Sequence, residues 1–530
     1  MTTSDLPKTI PHVVRRAAAL FGDREGVVDG AVRLTFAELA AEIDVAARAL
    51  IASGVEPAER VAIWAPNVYE WAVASFAIHS IGAVVIPLNT RFKGNEAAYI
   101  LGAAGARRLF TVTDFLDTNY VDLLRGASSE VQLDDVVILR GAVPDGCTSW
   151  SAFLTRGADV DRSVSAVRAD AVQPDDLCDI LFTSGTTGAP KGAMLMHSPT
   201  IRAFDSWADV VGLREGDRYL IINPFFHAFG LKAGLLTCLL KGATIVPHPI
   251  FDVPSVMRRV VDEQITMLPG PPSIFETILN HPELDQFDLS TLRLAVTGAA
   301  AIPTEMILAM REKLGFETVV TGYGLTEAHG IATMCRHDDD PETIAKTSGR
   351  AIPDVEVRLV DDDGREVHSG EPGEVVVRGY NVMKGYLDNP TATAEAIDAE
   401  GWLHTGDVAV ADANGNITIT DRKKDMYIVG GFNAYPAEIE NIMNGHSGIA
   451  QVAVVGVPDP RMGEVGMAFV VPATGATVDA DEVIAWCRER MANYKVPRYV
   501  DVVDALPLNA SGKVLKFDLR DRGTKLISSR

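Results

Sequence analysis

A chain of 530 residues, 47% hydrophobic and 22% charged, is too long for one ordinary core, and its make-up is that of a soluble globular enzyme of two or more domains. The net charge of −23 argues against nucleic acid as a partner, because such affinity comes largely from Lys and Arg neutralising phosphates, and against general attraction to an anionic membrane. Any anionic ligand must be held by local positive groups against an unfavourable overall field.

Along the chain, the stretch from Met1 to Phe21 lacks a charged start followed by an apolar run, so no signal peptide is expected; Pro11 opens an amphipathic pattern through Val14, Ala18 and Phe21. Thr35 and Glu38 form a capping box for a helix that continues through Leu39, Ile43, Ala46, Ala47 and Leu50 and ends at Gly54. A strand follows at 61–64. The longest uncharged run, 72–89, contains His79, Ser80, Gly82 and Pro87, and reads as a buried helix and a strand at 83–87 rather than a membrane span. Strands are expected again at 110–112, 136–139, 219–222, 244–246 and 294–296, in a recurring helix-then-strand alternation that points to parallel α/β sheets, and a further apolar strand is expected at 179–182. From Gly349 to Tyr386 the texture changes to short strands and turns, an antiparallel β subdomain, and Asp412 to Asn416 reads as a hairpin turn. The charged cluster at 421–425 marks the boundary to a compact α/β segment with helices at 436–443 and 483–491 and strands at 451–457 and 467–471. Five cysteines (Cys147, Cys178, Cys238, Cys335, Cys487) include no C-x-x-C pair. They read as buried small hydrophobes in a reducing compartment, with neither zinc ribbon nor disulfide framework.

The most informative run is Thr183-Ser184-Gly185-Thr186-Thr187-Gly188-Ala189-Pro190-Lys191-Gly192, directly after an apolar strand. Three glycines leave backbone N–H groups free to face an anion, and four hydroxyls and a lysine can hold phosphate oxygens. It is not the common P-loop, whose pattern counted from Gly185 needs glycine where Pro190 stands. The stretch from Thr321 to Glu327 contains a near miss for the dinucleotide fingerprint, with Glu327 in place of its third glycine.

Six motifs stand in one order: 183–192, Asn223 to Gly230 around His227, Thr321 to Glu327, Gly401 to Asp407, Asp421 to Asp425, and Pro507 to Lys513. Together they resemble the adenylate-forming superfamily of acyl-CoA synthetases, adenylation domains and luciferases, and the resemblance runs from about Thr35 to Lys516. It implies a large N-terminal AMP-binding and acyl-binding domain, 1–421, of two α/β subdomains and a β-barrel-like subdomain. A small mobile C-terminal α+β lid, 422–530, completes the expected α/β fold.

The resemblance also assigns roles. Thr183, Ser184, Gly185, Thr186, Thr187, Gly188 and Lys191 would cradle the ATP phosphates. Gly298, Ala299 and Ala300 would wall the adenine site opposite Tyr323, with Gly322 and Gly324 beside it. Glu327, with Thr326, would bind Mg²⁺ and an α-phosphate oxygen, as suits a hard carboxylate ligand. Asp407 would accept from the ribose hydroxyls with Arg422 as its cationic neighbour, and Lys513 would contact carboxylate and α-phosphate during adenylation. Lys424 would be the hinge, and Val429, Gly430 and Gly431 would form a channel for the thiol of coenzyme A.

His227, Phe229, Gly230, Gly234, Ala328 and Gly330 are expected to line the acyl pocket, where small side chains leave volume for a long or polycyclic acid. No acidic residue at 226–235 is placed to pair with an α-amine, which disfavours an amino-acid substrate. Stretches at 225–234, 268–274, 328–335 and 425–436 look like ligases of bacterial steroid catabolism, which activate the cyclic keto-propanoate left after rings A and B are removed. Lys232 or His329 is the expected hydrogen-bond donor to a ring ketone. Medium- and long-chain fatty acyl-CoA synthetases share parts of these stretches; a luciferase-like oxygenase and a non-catalytic ATP-binding relative are the remaining alternatives. A cytoplasmic enzyme, without an integral membrane segment and with its oligomeric state open to a homodimer, is expected.

Overall fold

Thr35 starts the helix Phe36–Ala52 by a reciprocal cap: its hydroxyl accepts from Glu38 N at 3.2 Å, and the Glu38 carboxylate accepts from Thr35 N at 2.8 Å. Leu39, Ile43, Ala46, Ala47 and Leu50 are buried on one face, as their spacing predicts, and Phe36 joins them. Ile10–Phe21 is helical too, but it buries Ala17 where Ala18 was expected.

The computed structural model describes residues 6–127, 131–183, 190–298, 302–422, 425–429, 432–491, 493–508 and 513–528. Two compact units are present: Met1–Val357 with Val377–Leu403, and Arg358–Val376 with His404–Arg530.

The first unit is built on an eight-stranded sheet. Its order is Gly385–Tyr386, Lys191–Met196, Leu177–Thr183, Val84–Pro87, Arg60–Trp64, Arg108–Val112, Asp135–Arg140 and Thr148–Ser149. From Leu177–Thr183 onward every neighbour is parallel, as expected of an α/β sheet. Lys191–Met196 and Gly385–Tyr386 are added antiparallel at one edge. The glycine-rich run therefore joins two adjacent antiparallel strands, whereas a P-loop leads from strand to helix. A second sheet orders Arg218–Ile221, Thr244–Pro247, Glu25–Asp29 and Val32–Thr35. A third orders Leu294–Thr297, Thr318–Tyr323, Thr333–Met334 and Arg350–Ala351. Each joins parallel pairs, as expected, to short antiparallel ones, the first of these formed where the chain turns back at Gly30 with φ +61°.

Charged and polar side chains are buried behind the large sheet. Asp179 on Leu177–Thr183 faces His79 Nε2 at 3.1 Å, and the Lys232 ammonium donates to Thr200 Oγ1 at 3.0 Å. His197 accepts from Ile10 N at 3.3 Å, and its ring lies edge-on to that of His79. Buried polar groups are tolerated when hydrogen-bonded, and this cluster satisfies that condition at Asp179 and Lys232.

In the second unit, Asp361 to Gly364 forms a turn, Asp361 N donating to Arg365 O at 2.9 Å. A sheet of Phe432–Ala434, Tyr427–Val429, Gly463–Pro472, Ile449–Asp459 and Tyr499–Val502 packs on Pro436–Met443, Ala480–Arg488 and Lys516–Ser528. Tyr427 is fully buried between Gly456 and Gly466, where an added Cβ would lie 2.2 Å from its Cβ or 2.3 Å from its hydroxyl. The helix expected at 483–491 starts earlier, because the Asp479 carboxylate accepts from Asp481 N and Glu482 N, both at 3.0 Å. No disulfide is seen among the five cysteines; Cys147 is partly exposed, against the expectation that all are buried. Among the described residues, no helix is long and apolar enough to cross a membrane.

Candidate active site

The strand Leu177–Thr183 delivers Thr183 to the start of the glycine-rich run, and its hydroxyl donates to Glu327 Oε1 at 3.1 Å. The Tyr386 hydroxyl donates to the same oxygen at 2.9 Å. The Lys191 ammonium lies over the Tyr386 ring, 5.2 Å from its centroid. Three sequence-predicted residues, Thr183, Lys191 and Glu327, are thus brought together, and Tyr386 joins them. Burial, with the Glu327 charge behind it, pushes the Tyr386 phenol above its ordinary range, so the hydroxyl stays protonated and donates.

Sequence reasoning missed Tyr386 because it lies 59 residues from Glu327 in a two-residue strand. One signal was present: the preceding glycine. A Cβ at Gly385 would meet Thr393 Cγ2 at 2.8 Å, so the chain must carry glycine there to reach this position.

Glu327 sits in a short 3₁₀ turn, Thr326–Ala328, after the strand Thr318–Tyr323. Parallel pairing sets Thr297 beside Thr321, so Gly298 and Gly322 adjoin, and a Cβ at Gly298 would lie 3.3 Å from Gly322 O. Tyr323 pairs with Thr333 and is half-buried. At Gly324 an added Cβ would lie 2.2 Å from Gly330 O, a backbone approach that only glycine permits. Ser184, Gly185, Thr186, Thr187, Gly188, Ala299 and Ala300 lie outside the described residues.

His227 is exposed, and its Nδ1 accepts from Phe229 N at 3.2 Å, which makes that ring nitrogen unprotonated. Phe229–Leu236 is a π-helix, a rare form that recurs at functional sites. The expected open volume beside its glycines is filled: a Cβ at Gly230 would lie 2.1 Å from Pro224 O, and one at Gly234 would lie 2.9 Å from Ile221 Cγ2. These glycines serve close packing. Gly330, φ +103°, packs on Ala228 and Phe204, and Ala328 is fully buried. Phe229 meets Trp207 edge-on.

Lys232 and His329 are enclosed in the core and paired with protein groups, not open to a pocket. Lys232 is 1% exposed and pairs with Asp179. His329 is buried; its Nε2 accepts from Met196 N at 3.2 Å, so Nδ1 carries the proton and donates to Asn381 O at 2.7 Å. Placing them at a ring ketone mistook core polar groups for pocket groups.

In the second unit, Asp407 and Arg422 are directly paired across the hairpin of Leu403–Ala411 and Ile417–Arg422. Asp407 is 5% exposed, and its N–H donates to Thr405 Oγ1 at 3.1 Å. Lys513 is exposed, three residues before the helix Lys516–Ser528. Val429 pairs with Phe432 at the end of a hairpin; Lys424, Gly430 and Gly431 lie outside the described residues.

The arrangement can do phosphate chemistry: a lysine, hydroxyls and a carboxylate held by two donors converge at the start of a glycine-rich run. Residues 14–387 match the AMP-binding enzyme model and residues 438–513 match the AMP-binding enzyme C-terminal domain. The chain belongs to the AMP-binding enzyme family. It is 49% identical over 522 residues to the 3-[(3aS,4S,7aS)-7a-methyl-1,5-dioxo-octahydro-1H-inden-4-yl]propanoyl:CoA ligase of Rhodococcus jostii (strain RHA1), covering 98% of this chain and 99% of that protein. Its counterpart of the same name from Mycobacterium tuberculosis (strain ATCC 25618 / H37Rv) is 49% identical over 516 residues, covering 97% and 99%. Among solved structures, the anthranilate CoA ligase AuaEII in complex with anthranoyl-AMP aligns over the full length of both chains with a TM-score of 0.87 at 28% identity. Within the AMP-binding enzyme family, the chain is an adenylate-forming acyl-CoA ligase.

Proposed function

We propose that this enzyme activates a bicyclic keto-propanoate from steroid ring degradation, using ATP and coenzyme A, in the cytoplasm. The observation that carries the reading is the 49% identity, over almost the whole of both chains, to the ligase of Rhodococcus jostii. The chemistry has two steps. A carboxylate is a poor electrophile with a poor leaving group, so its oxygen first attacks the α-phosphate of ATP, giving an acyl-adenylate and pyrophosphate. The thiol of coenzyme A then attacks the acyl carbon and AMP leaves.

Negative charge concentrates on phosphate oxygens in these transition states, and fixed positive charge and N–H donors stabilise it. Lys191 and the run that starts at Thr183 would hold the β- and γ-phosphates. Tyr323 would pack on adenine, with Gly298 on the opposite wall. Asp407 would accept from the ribose hydroxyls beside Arg422, and Lys513 would bring positive charge to the carboxylate and α-phosphate. His227 would stand at the reacting carboxylate.

Glu327 is the residue that would hold Mg²⁺. Magnesium is bound through one or two carboxylates together with substrate phosphates, and a carboxylate with two hydroxyl donors on one oxygen fits that need. When bound, the ion would neutralise phosphate charge. Residues 422–530 would act as a lid hinged at Lys424, which exchanges Lys513 for the loop after Val429 when thioester formation begins.

The substrate is tested by kcat/KM over a panel from acetate through palmitate to bicyclic keto-propanoates. A preference of about a hundredfold or more for the bicyclic acids over every straight chain is expected. Best turnover on straight chains would instead make it a fatty acyl-CoA synthetase.

A further inference from the structure

Tyr386 makes two contacts to the phosphate-binding groups at once. Its hydroxyl and that of Thr183 both donate to Glu327 Oε1, at 2.9 Å and 3.1 Å. A carboxylate oxygen offers about two lone-pair directions, so two donors occupy Oε1 and orient Oε2 as the oxygen for a cation. The ring face of Tyr386 meanwhile carries the Lys191 ammonium.

The backbone makes this placement rigid. Tyr386 pairs with Ala193 and Gly385 with Met194, so Tyr386 stands beside the strand that begins at Lys191. Lys384 N donates to Met194 O at 3.0 Å, and Leu387 N to Gly192 O at 2.8 Å. Met383 N donates to Glu327 O at 2.8 Å, so one segment is tied to both the lysine strand and the glutamate turn. Tyr386 N in turn donates to Thr393 Oγ1 at 2.9 Å.

We propose that Tyr386 is a positioning residue for nucleotide activation: its hydroxyl aims Glu327 at the metal of metal–ATP, and its ring holds Lys191 for the phosphates. The inference rests on the reading of Glu327 as the metal-holding carboxylate. Hydrogen-bond partners behind a metal ligand typically contribute tenfold to a hundredfold in metal affinity or activity.

The two contacts separate by substitution. Tyr386→Phe keeps the ring under Lys191 and removes the donor; Tyr386→Leu removes both. The full-length enzyme is titrated calorimetrically with α,β-methylene ATP, once with excess Mg²⁺ and once with EDTA. In Tyr386→Phe the tightening by Mg²⁺ is expected to fall by about tenfold or more, while the EDTA affinity stays within about twofold of wild type. Tyr386→Leu is expected to lose EDTA affinity as well. Glu327→Gln is titrated alongside and is expected to lose the Mg²⁺ effect.

An intact Mg²⁺ effect in Tyr386→Phe, with the effect lost in Glu327→Gln, overturns the role of Tyr386 and leaves that of Glu327 standing. An intact effect in Glu327→Gln overturns the reading of Glu327 itself. Equal weakening with and without Mg²⁺ in Tyr386→Phe reduces Tyr386 to a packing residue and also overturns the inference.

Discussion

The Lys232 ammonium stands 3.2 Å from the Asp179 carboxylate, and both side chains are 1% exposed. Burial alone would raise the Asp179 carboxyl, but the Lys232 charge and the His79 hydrogen bond hold it below the ordinary range. The pair connects the π-helix Phe229–Leu236 to the strand that ends at Thr183. Lys232→Met leaves a buried carboxylate without its cation, at a cost of about 3–5 kcal/mol. Adding Asp179→Asn removes the stranded charge, and much of that loss is expected to return. Urea unfolding of the single and double variants measures this, and equal stability of the two would show that the charge pairing contributes nothing.

Two buried histidines make stability depend on pH. Burial first, with the Lys232 charge, lowers His329 to about 3; burial and the neighbouring His79 lower His197 to about 3. Their ordinary value is 6.5, so below it the unfolded chain takes up protons that the folded chain refuses. The stabilisation is fully present above that value and is lost as pH falls toward the folded values. Between about pH 6 and pH 5 each histidine contributes a slope that rises from about 1.0 to about 1.3 kcal/mol per pH unit. Urea midpoints across that range should fall steeply, and His329→Gln should remove one histidine's share of the slope. An unchanged slope in that variant would contradict the assignment.

Gly324→Ala drives a methyl into the Gly330 carbonyl, which is backbone and cannot rotate away. The turn carrying Glu327 must shift, so a loss of roughly 1–3 kcal/mol in stability is expected. Nucleotide affinity with Mg²⁺ should drop more than affinity in EDTA. Wild-type values on both measurements would show that the approach is not needed.

Lys513→Ala separates the two half-reactions. Adenylation is expected to fall by about a hundredfold or more, the range for removing one charge-stabilising donor. Thioester formation from supplied acyl-adenylate should survive. Equal loss in both steps, followed by pyrophosphate release and by thioester formation, would contradict the assigned division of roles.

Local signals carried furthest from sequence to structure. The cap at Thr35 and the helix Phe36–Ala52 were legible because the donors and acceptors lie three residues apart. Likewise the apolar strand before the glycine-rich run was legible because its period and its turn are continuous in sequence. The Glu327 site was only half legible: Thr183, Lys191 and Glu327 lie in motifs, whereas Tyr386 is reached only through a tertiary strand pair. Lys232 was misread for a physical reason, since a lysine on an apolar helix reads as polar lining until its buried partner Asp179 is seen. The glycines at 230 and 234 were read as volume, and only the neighbouring Pro224 carbonyl and Ile221 side chain show them to be contacts.

The most direct test of adenylate-dependent thioester synthesis on a bicyclic keto acid is an order-of-addition experiment. Enzyme, ATP, Mg²⁺ and a bicyclic keto-propanoate are mixed without coenzyme A, and the bound product is identified by mass spectrometry before and after coenzyme A is added. An acyl-adenylate with stoichiometric pyrophosphate, converted to acyl-CoA and AMP on addition of the thiol, is the expected result. Acyl-CoA formation with release of ADP and phosphate, or no adenylate with this acid but ready adenylate formation with palmitate, would contradict it.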